Sequence, residues 1–162
     1  MRGETDPVAE MLDVLDISSG DARTTEDIFT GISHPMPTGR IFGGQVLAQA
    51  IIAADRTTGD DRVPHSMHGY FLRPGDATRG VTLSVDRIHD GRSFSTRRTQ
   101  VYQDGVPIFS MIASFEHEDA GLDHQSRMPE DVLGPEEALA RWETTRRHPL
   151  SQRLLDRNPI EV

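Results

Sequence analysis

Residues 41–54 read IFGGQVLAQAIIAA, and this stretch predicts the central element of the fold. Its alanine and aliphatic residues predict a helix, with Gly43 and Gly44 at its start. Apolar residues occupy nearly every side of that helix, which is typical of a helix buried inside a protein. Gln45 and Gln49 are its only polar side chains, and they lie one turn apart on one face.

Strand patterns lie on both sides of this helix. One strand is expected before it, at residues 28–32, and the loop at residues 34–39 follows because its two prolines and its glycine do not fit an element interior. Asp90-Gly91 and Asp104-Gly105 are hairpin signals between the last strands. The later strands are expected at residues 65–73, 80–88, 92–103 and 106–117. This order predicts an α+β fold in which one antiparallel sheet wraps around one long helix.

The two ends of the chain are more polar than its centre. Asp6 and Pro7 predict the start of a short helix, as its N-cap and first helical residue. A second helix is expected from Pro135 to Arg147, after a polar segment. The predicted organisation is a helix and leader at 1–20, the sheet-and-helix domain at 21–118, and a linker with one helix at 119–162.

Composition excludes several classes of protein. The chain has 162 residues, enough for one domain, and its 17 basic and 26 acidic residues give a net charge of −9. Such a charge argues against binding to nucleic acid or to an anionic membrane. The chain has no cysteine, which excludes disulfides, thiolate metal sites and a cysteine nucleophile. No apolar run reaches the roughly 18 residues of a membrane-spanning helix, and the N-terminus lacks an apolar signal core. We therefore expect a cytoplasmic protein without membrane insertion.

Four segments of the chain closely resemble the acyl-CoA thioesterase II (TesB) family, and they occur in the family's order. That resemblance implies the hot-dog fold, in which an antiparallel sheet wraps around a central helix. The segments are IFGGQVLAQA (41–50), HSMHGYFLRPGD (65–76), DGRSFSTRR (90–98) and IFSMIASF (108–115).

The resemblance also implies that this chain is the N-terminal half of a double hot dog. TesB-like enzymes carry two such domains in about twice this length, and their catalytic Asp, Thr and Gln lie mainly in the second domain. The catalytic residues are therefore unknown within this chain, which is either a fragment or a naturally short member. The implied activity is hydrolysis of fatty acyl-CoA to free fatty acid and CoA, with no metal and no cofactor. The alternative is a non-catalytic hot-dog module that binds acyl-CoA or has a structural role.

The central helix carries four candidate substrate-binding residues. Gly43 and Gly44 stand at a helix N-terminus, where unpaired N–H groups and the positive end of the helix dipole suit a thioester carbonyl or an oxyanion. The same glycines would equally permit close packing of the helix on the sheet. Gln45 and Gln49 are candidates for binding the thioester or a water molecule. They would equally serve to pair across a two-domain interface.

Histidine and arginine residues of the strands are further candidates. His65 and His68 lie three apart on a predicted strand, so we expect them on opposite faces, which argues against a shared metal site. His65 is a candidate to lie beside the substrate, against a structural or surface role. Arg97, with Arg92 and Arg98, is a candidate contact for the phosphates of CoA, because an acidic chain needs a local positive patch for an anionic ligand. Alternatively, these arginines form a solvated strand edge.

The strand at residues 65–73 is expected to be an interface. Its apolar residues are too many for both faces to be solvated, and an isolated hot-dog half would expose a strand edge. We therefore expect the chain to form a homo-oligomer or to pair with its own second hot-dog domain. The residues in question are Met67, Tyr70, Phe71 and Leu72.

Overall fold

The computed structural model describes residues 6–19 and 26–145. The chain divides into two compact units. The larger unit, Glu10–Asp119, holds every strand and the long helix. The second unit is described over residues 6–9 and 120–145, where residues 120–134 form neither helix nor strand.

The elements follow the predicted order. In chain order they are α1 (Pro7–Leu15), β1 (Ser18–Ser19), β2 (Asp27–Gly31), α2 (Gly43–Asp55), β3 (Val63–Phe71), β4 (Val81–Asp90), β5 (Phe94–Gln103), β6 (Val106–Glu116) and α3 (Pro135–Thr145).

The six strands form one sheet in the order β1-β2-β4-β5-β6-β3, and every neighbouring pair is antiparallel. The β5–β6 hairpin turns at Asp104 and Gly105, whose φ angles of 49° and 76° are both positive. Two consecutive positive φ angles are what a two-residue hairpin turn of the favoured hand requires. The predicted hairpin signal is thus confirmed. Among the described residues, strand β3 pairs with β6 alone, which leaves β3 at the edge of the sheet.

Helix α2 packs on one face of this sheet. Ala50, Ala53 and Ala54 are fully buried, and their small side chains let the helix approach the strands closely. The opposite side of the helix is less enclosed, since Ile51 and Ile52 are only partly buried. The strand residues of the core include Leu83, Val85, Val101, Phe109, Met111, Ala113 and Phe115.

Residues at the helix starts match the predicted boundaries of α1 and α3. The Asp6 carboxylate accepts a hydrogen bond from the Val8 N–H at 3.0 Å, as expected of a helix N-cap. After this helix, Ser18 and Ser19 pair with β2 as a short strand. Helix α3 begins at Pro135 as predicted, whereas its predicted end at Arg147 and the rest of the predicted segment 119–162 beyond residue 145 lie outside the described residues.

Candidate functional site

An apolar cleft of about 290 Å³ opens at the N-terminal end of α2, beside the end of the edge strand β3. The cleft lies where the sheet stops covering the helix, because no strand of the described part of the chain follows β3 in the sheet. Arg73 is the only charged residue in its lining. The lining consists of Ile41, Gly43, Val46, Phe71, Leu72, Arg73, Pro74, Gly75 and Ile108.

The two predicted glycines sit at this end of the helix. The residue before them, Phe42, has an extended backbone and gives the helix no side-chain cap. The first N–H groups of a helix have no partner within the helix, so those of Gly43 and Gly44 remain available to a ligand's carbonyl. A Cβ on Gly43 would lie 3.2 Å from the ring of Phe71 on β3, whereas a Cβ on Gly44 would meet the ring of Phe42, which precedes the helix. Close packing of the helix on the sheet, the alternative interpretation of these glycines, is therefore seen at Gly43.

Gln45 and Gln49 are both buried, and their amides bind groups of this chain. Gln45 accepts a hydrogen bond from the His34 N–H at 3.1 Å and donates one to the Ile32 carbonyl at 3.1 Å. Gln49 donates to the carbonyls of Val14, at 2.6 Å, and Ile32, at 2.9 Å. The two side chains also bond to each other at 3.3 Å. This geometry favours a structural role, in which they tie α1 and the loop after β2 to α2.

Gly31 explains how the Gln49 amide reaches these carbonyls. A Cβ at position 31 would lie 2.8 Å from the Gln49 Nε2 atom. Residue 31 also ends β2, directly before the loop that both glutamines bind. A side chain at Gly31 would therefore shift the Gln49 amide away from the carbonyls that it binds.

His65 lies on the outer face of the sheet, away from α2. The pairing of β3 with β6 shifts between Pro64 and Ser66, so His65 and Ser66 both lie near Ser114. The His65 Nε2 atom is 2.9 Å from the Ser114 Oγ atom. His68 pairs with Ile112 on this same outer face, since Ser114 and Ile112 are two residues apart on β6.

The prediction that the two histidines lie on opposite faces is therefore wrong, because a β-bulge changes the alternation of side chains along a strand. The outer face also separates His65 from the cleft, whose lining does not include it. Its side chain instead packs its ring against Phe94, with centroids 5.6 Å apart.

Arg97 is buried, with 1% of its surface exposed. Each of its five N–H groups donates a hydrogen bond within the protein. The acceptors are the Thr57 hydroxyl and carbonyl, the carbonyls of His89 and Thr96, and the Asp90 carboxylate. No donor remains for a phosphate, so the geometry favours a structural role for Arg97 at the C-terminal end of α2.

The carboxylate beside Arg97 is held in its charged form. Burial by itself raises the pKa of Asp90, but hydrogen bonds from Ser95 and Arg97, with the charges of Arg97 and Arg62, outweigh that effect and lower the pKa below its ordinary value. Arg62 donates to the Ser95 hydroxyl at 2.7 Å and to the Gly91 carbonyl at 2.6 Å. These contacts close the β4–β5 hairpin onto the turn after α2.

The other two arginines of the predicted phosphate contact are exposed. Arg98 is paired with Asp86 on the neighbouring strand, 2.7 Å from its carboxylate. Arg92 lies in the turn between β4 and β5. Neither residue lines the apolar cleft, so the structure does not bring the three arginines together as one site.

Of the residues that line the cleft, the sequence patterns indicated Gly43 as a binding candidate but not the apolar side chains around it. Phe71 was considered only as an apolar residue of an interface strand, and Ile41, Val46 and Ile108 only as parts of motifs. The proximity of Phe71 to Gly43 depends on how β3 pairs in the sheet, which local patterns do not reveal. Within residues 6–19 and 26–145, no three His, Asp or Glu side chains are placed to hold a metal ion. In the same residues, no helix is long and apolar enough to cross a membrane.

Comparison with known proteins gives one consistent result. A family model for the acyl-CoA thioesterase N-terminal domain matches residues 32–116. Human acyl-coenzyme A thioesterase 8 is 42% identical over 115 residues, which are 70% of this chain and 36% of that protein. Acyl-CoA thioesterase 2 of Haemophilus influenzae is 35% identical over 140 residues, which are 83% of this chain and 49% of that protein.

A solved structure gives the same picture in three dimensions. The crystal structure of an acyl-CoA thioesterase II, TesB2, from Mycobacterium marinum superposes with a TM-score of 0.65 at 38% identity, covering 77% of this chain and 44% of that one. The chain thus spans half or less of the length of these three relatives.

Proposed function

The chain belongs to the acyl-CoA thioesterase family, and from that premise we propose that it is the N-terminal hot-dog domain of an enzyme that hydrolyses fatty acyl-CoA to free fatty acid and CoA. The predicted hot-dog fold is confirmed by the sheet-on-helix architecture and by the similarity to the M. marinum thioesterase. The observation that carries the proposed activity is the apolar cleft at the N-terminus of α2. It offers an apolar surface to an acyl chain and free N–H groups to a carbonyl oxygen.

Each part of the cleft suits one part of a fatty thioester. Alkyl carbons gain about 0.8 kcal/mol for every CH₂ group removed from water, and the more exposed apolar side chains of the lining, Ile41, Phe71 and Leu72, provide the surface. When water attacks the thioester, negative charge develops on the carbonyl oxygen, and donors aimed at that oxygen stabilise it. The N–H groups of Gly43 and Gly44, at the positive end of the helix dipole, suit this purpose. Activation of the water is assigned to the second hot-dog domain, where the resemblance places Asp, Thr and Gln.

A second candidate function is a non-catalytic acyl-CoA-binding or structural module. The observation that favours it is that the buried polar side chains near α2 are engaged within the chain itself. Gln45, Gln49 and Arg97 all bond to protein groups. The cleft also lacks an acidic residue, a histidine or a hydroxyl side chain that would act as a base or nucleophile. In this reading, the chain binds the thioester without cleaving it.

Two measurements distinguish these functions. Calorimetric titration of the 162-residue chain with decanoyl-CoA and palmitoyl-CoA tests binding, and thiol release tests hydrolysis. We expect the chain alone to bind acyl-CoA and to hydrolyse it poorly or not at all, while a polypeptide that also contains the second domain releases CoA. Thiol release by the chain alone at the rate of the two-domain enzyme would show that the catalytic residues lie in this chain and not in the second domain. Release by neither polypeptide would support the binding module.

A variant of the cleft tests whether binding occurs there. Replacing Ile41 with Gln puts an amide into the apolar lining, and we expect acyl-CoA binding to weaken about tenfold from the lost apolar contact. The matched control is Ile88→Gln, since Ile88 is 51% exposed and lies on β4, outside the cleft. Equal affinity of the two variants would place the acyl chain elsewhere.

Three further expectations belong to this proposal. The first is that the exposed edge strand β3 pairs with a second hot-dog domain, or with a copy of the chain in a homo-oligomer. The second is a cytoplasmic location, and the third is hydrolysis without a cofactor. Fractionation of cells and assay of the enzyme after treatment with a chelator would test the last two.

A further inference from the structure

We propose that Phe71 is a specificity-determining residue, whose ring narrows the cleft beside the helix N-terminus and limits the acyl chains that the cleft admits. This inference rests on the proposed acyl-CoA function. The ring of Phe71 lies over the first residue of α2, within 3.2 Å of the point where a Cβ of Gly43 would be. It therefore lies beside the N–H groups of the helix N-terminus, in the lining of the same cleft.

One side of the Phe71 ring packs against the protein, and the other side is exposed to solvent. Its ring packs against that of Phe109, with centroids 4.8 Å apart and planes inclined by 46°. Phe109 is fully buried, so it forms a fixed support beneath the ring. Phe71 itself remains 59% exposed, because β3 is the edge strand of the sheet.

The position of Phe71 in the sheet explains why this side chain reaches the cleft. Phe71 pairs with Phe109, and Tyr70 pairs with Ser110. Successive residues of a strand point to opposite faces, so Phe71 lies on the helix side and Tyr70 on the outer side. Tyr70 accordingly contacts His68 rather than the cleft, with ring centroids 4.8 Å apart.

The position of the Phe71 ring depends on the residue at position 43, the first residue of α2. A methyl group at position 43 would touch the Phe71 ring at 3.2 Å, tighter than ordinary van der Waals contact, so the ring must shift to accommodate it. A side chain at position 43 would thus push the Phe71 ring aside by a few tenths of an ångström, and any smaller residue at 71 would leave that space open. The size of residue 71 therefore controls how much room the cleft has for the acyl carbons that follow the carbonyl bound at the helix N-terminus.

The test measures the affinity of the chain for a series of saturated acyl-CoA molecules, from butyryl to palmitoyl, by calorimetric titration. We expect Phe71→Ala to move the preferred length toward longer chains, with each additional buried CH₂ raising affinity about fourfold. Phe71→Leu should give an intermediate shift, and it preserves more of the packing on Phe109 should the alanine variant fail to fold. The control is Tyr70→Ala, which removes an equally exposed ring from the other face of the same strand and should leave the length preference unchanged.

A second pair of variants tests the coupling. Gly43→Ala should reduce the affinity for all acyl chains in the presence of Phe71, and Phe71→Ala should restore it in the double variant. If the wild-type chain binds acyl-CoA, and if Phe71→Ala and Phe71→Leu show the same length preference as the control Tyr70→Ala, the role of Phe71 is overturned and the proposed function stands. A wild-type chain that binds no acyl-CoA of any length would overturn both.

Discussion

Arg97 joins three separate parts of the larger unit through one guanidinium group. It bonds to Thr57 in the turn after α2, to the His89 carbonyl and Asp90 carboxylate on β4, and to Thr96 on its own strand. Charged side chains are rarely buried unless they are paired and fully hydrogen-bonded, and Arg97 meets both conditions. Its removal would leave several acceptors without donors.

We expect Arg97→Met to lower the free energy of unfolding by about 2–4 kcal/mol, because buried acceptors that lose their donor are costly. The measurement is urea unfolding followed by circular dichroism. Arg98→Met is the matched control, since Arg98 is an exposed neighbour paired with Asp86, and a surface ion pair contributes less than about 1 kcal/mol. Weaker binding of CoA by a stable, folded Arg97→Met chain would instead support the phosphate contact.

The two ends of α2 differ in their electrostatics. At the N-terminal end, the absence of a side-chain cap leaves backbone N–H groups open toward the cleft. At the C-terminal end, Asp55 is the last helical residue, and a negative charge there opposes the helix dipole. Burial, followed by the charge of Asp60, raises the pKa of Asp55 above its ordinary value. The ionised carboxylate therefore destabilises the folded chain.

Replacing Asp55 with Asn should stabilise the chain by a few tenths of a kcal/mol at pH 7, the usual size of a charge–dipole effect at an exposed helix end. Because the pKa of Asp55 is higher in the folded chain than in the unfolded chain, its ionisation lowers the free energy of unfolding wherever both states are ionised. This penalty vanishes below the ordinary Asp pKa of about 3.9, where both states are protonated. Urea unfolding at several pH values measures this difference.

The control for this variant is Asp119→Asn, which removes the same charge from an exposed residue outside any helix. The explanation would be wrong if Asp119→Asn stabilised the chain as much as Asp55→Asn, or if the gain from Asp55→Asn persisted at the acid end of the range.

The sheet ends at an edge strand, β3, that is exposed along its whole length. All nine residues of β3 are exposed, on both faces of the strand. They include large apolar side chains such as Met67, Tyr70 and Phe71. An unpaired strand edge offers hydrogen-bonding groups to another chain, and contiguous exposed apolar surface usually marks an interface.

We expect the purified 162-residue chain to associate at micromolar concentration, in a two-fold pair if no second domain is present. A specific interface of this kind should bury at least about 1,000 Å² in total. Light scattering gives the mass directly. A mass of one chain, together with a cooperative melting transition, would count against pairing through β3. A variant with Met67→Lys on the strand should shift the equilibrium toward single chains.

Local sequence by itself determined the elements and their order. The alanine-rich, uniformly apolar stretch predicted α2, and the structure begins that helix at Gly43 and ends it at Asp55. Two Asp-Gly pairs predicted the hairpins, and the observed strands β4, β5 and β6 differ from the predicted bounds by a few residues at most. These features depend on neighbours along the chain, such as helix propensity and turn conformation, so they can be predicted without knowing the fold.

Tertiary structure alone decided which side chains form the site. The bulge between Pro64 and Ser66 put His65 on the outer face, and the pairing of β3 with β6 placed Phe71 over Gly43. Burial of Arg97 followed from contacts with Thr57 and His89, 40 and 8 residues away. Strand register and long-range contacts arise only when distant segments meet, and a shift of one residue moves a side chain to the other face. A one-dimensional pattern therefore predicts which residues are candidates, while packing determines their roles.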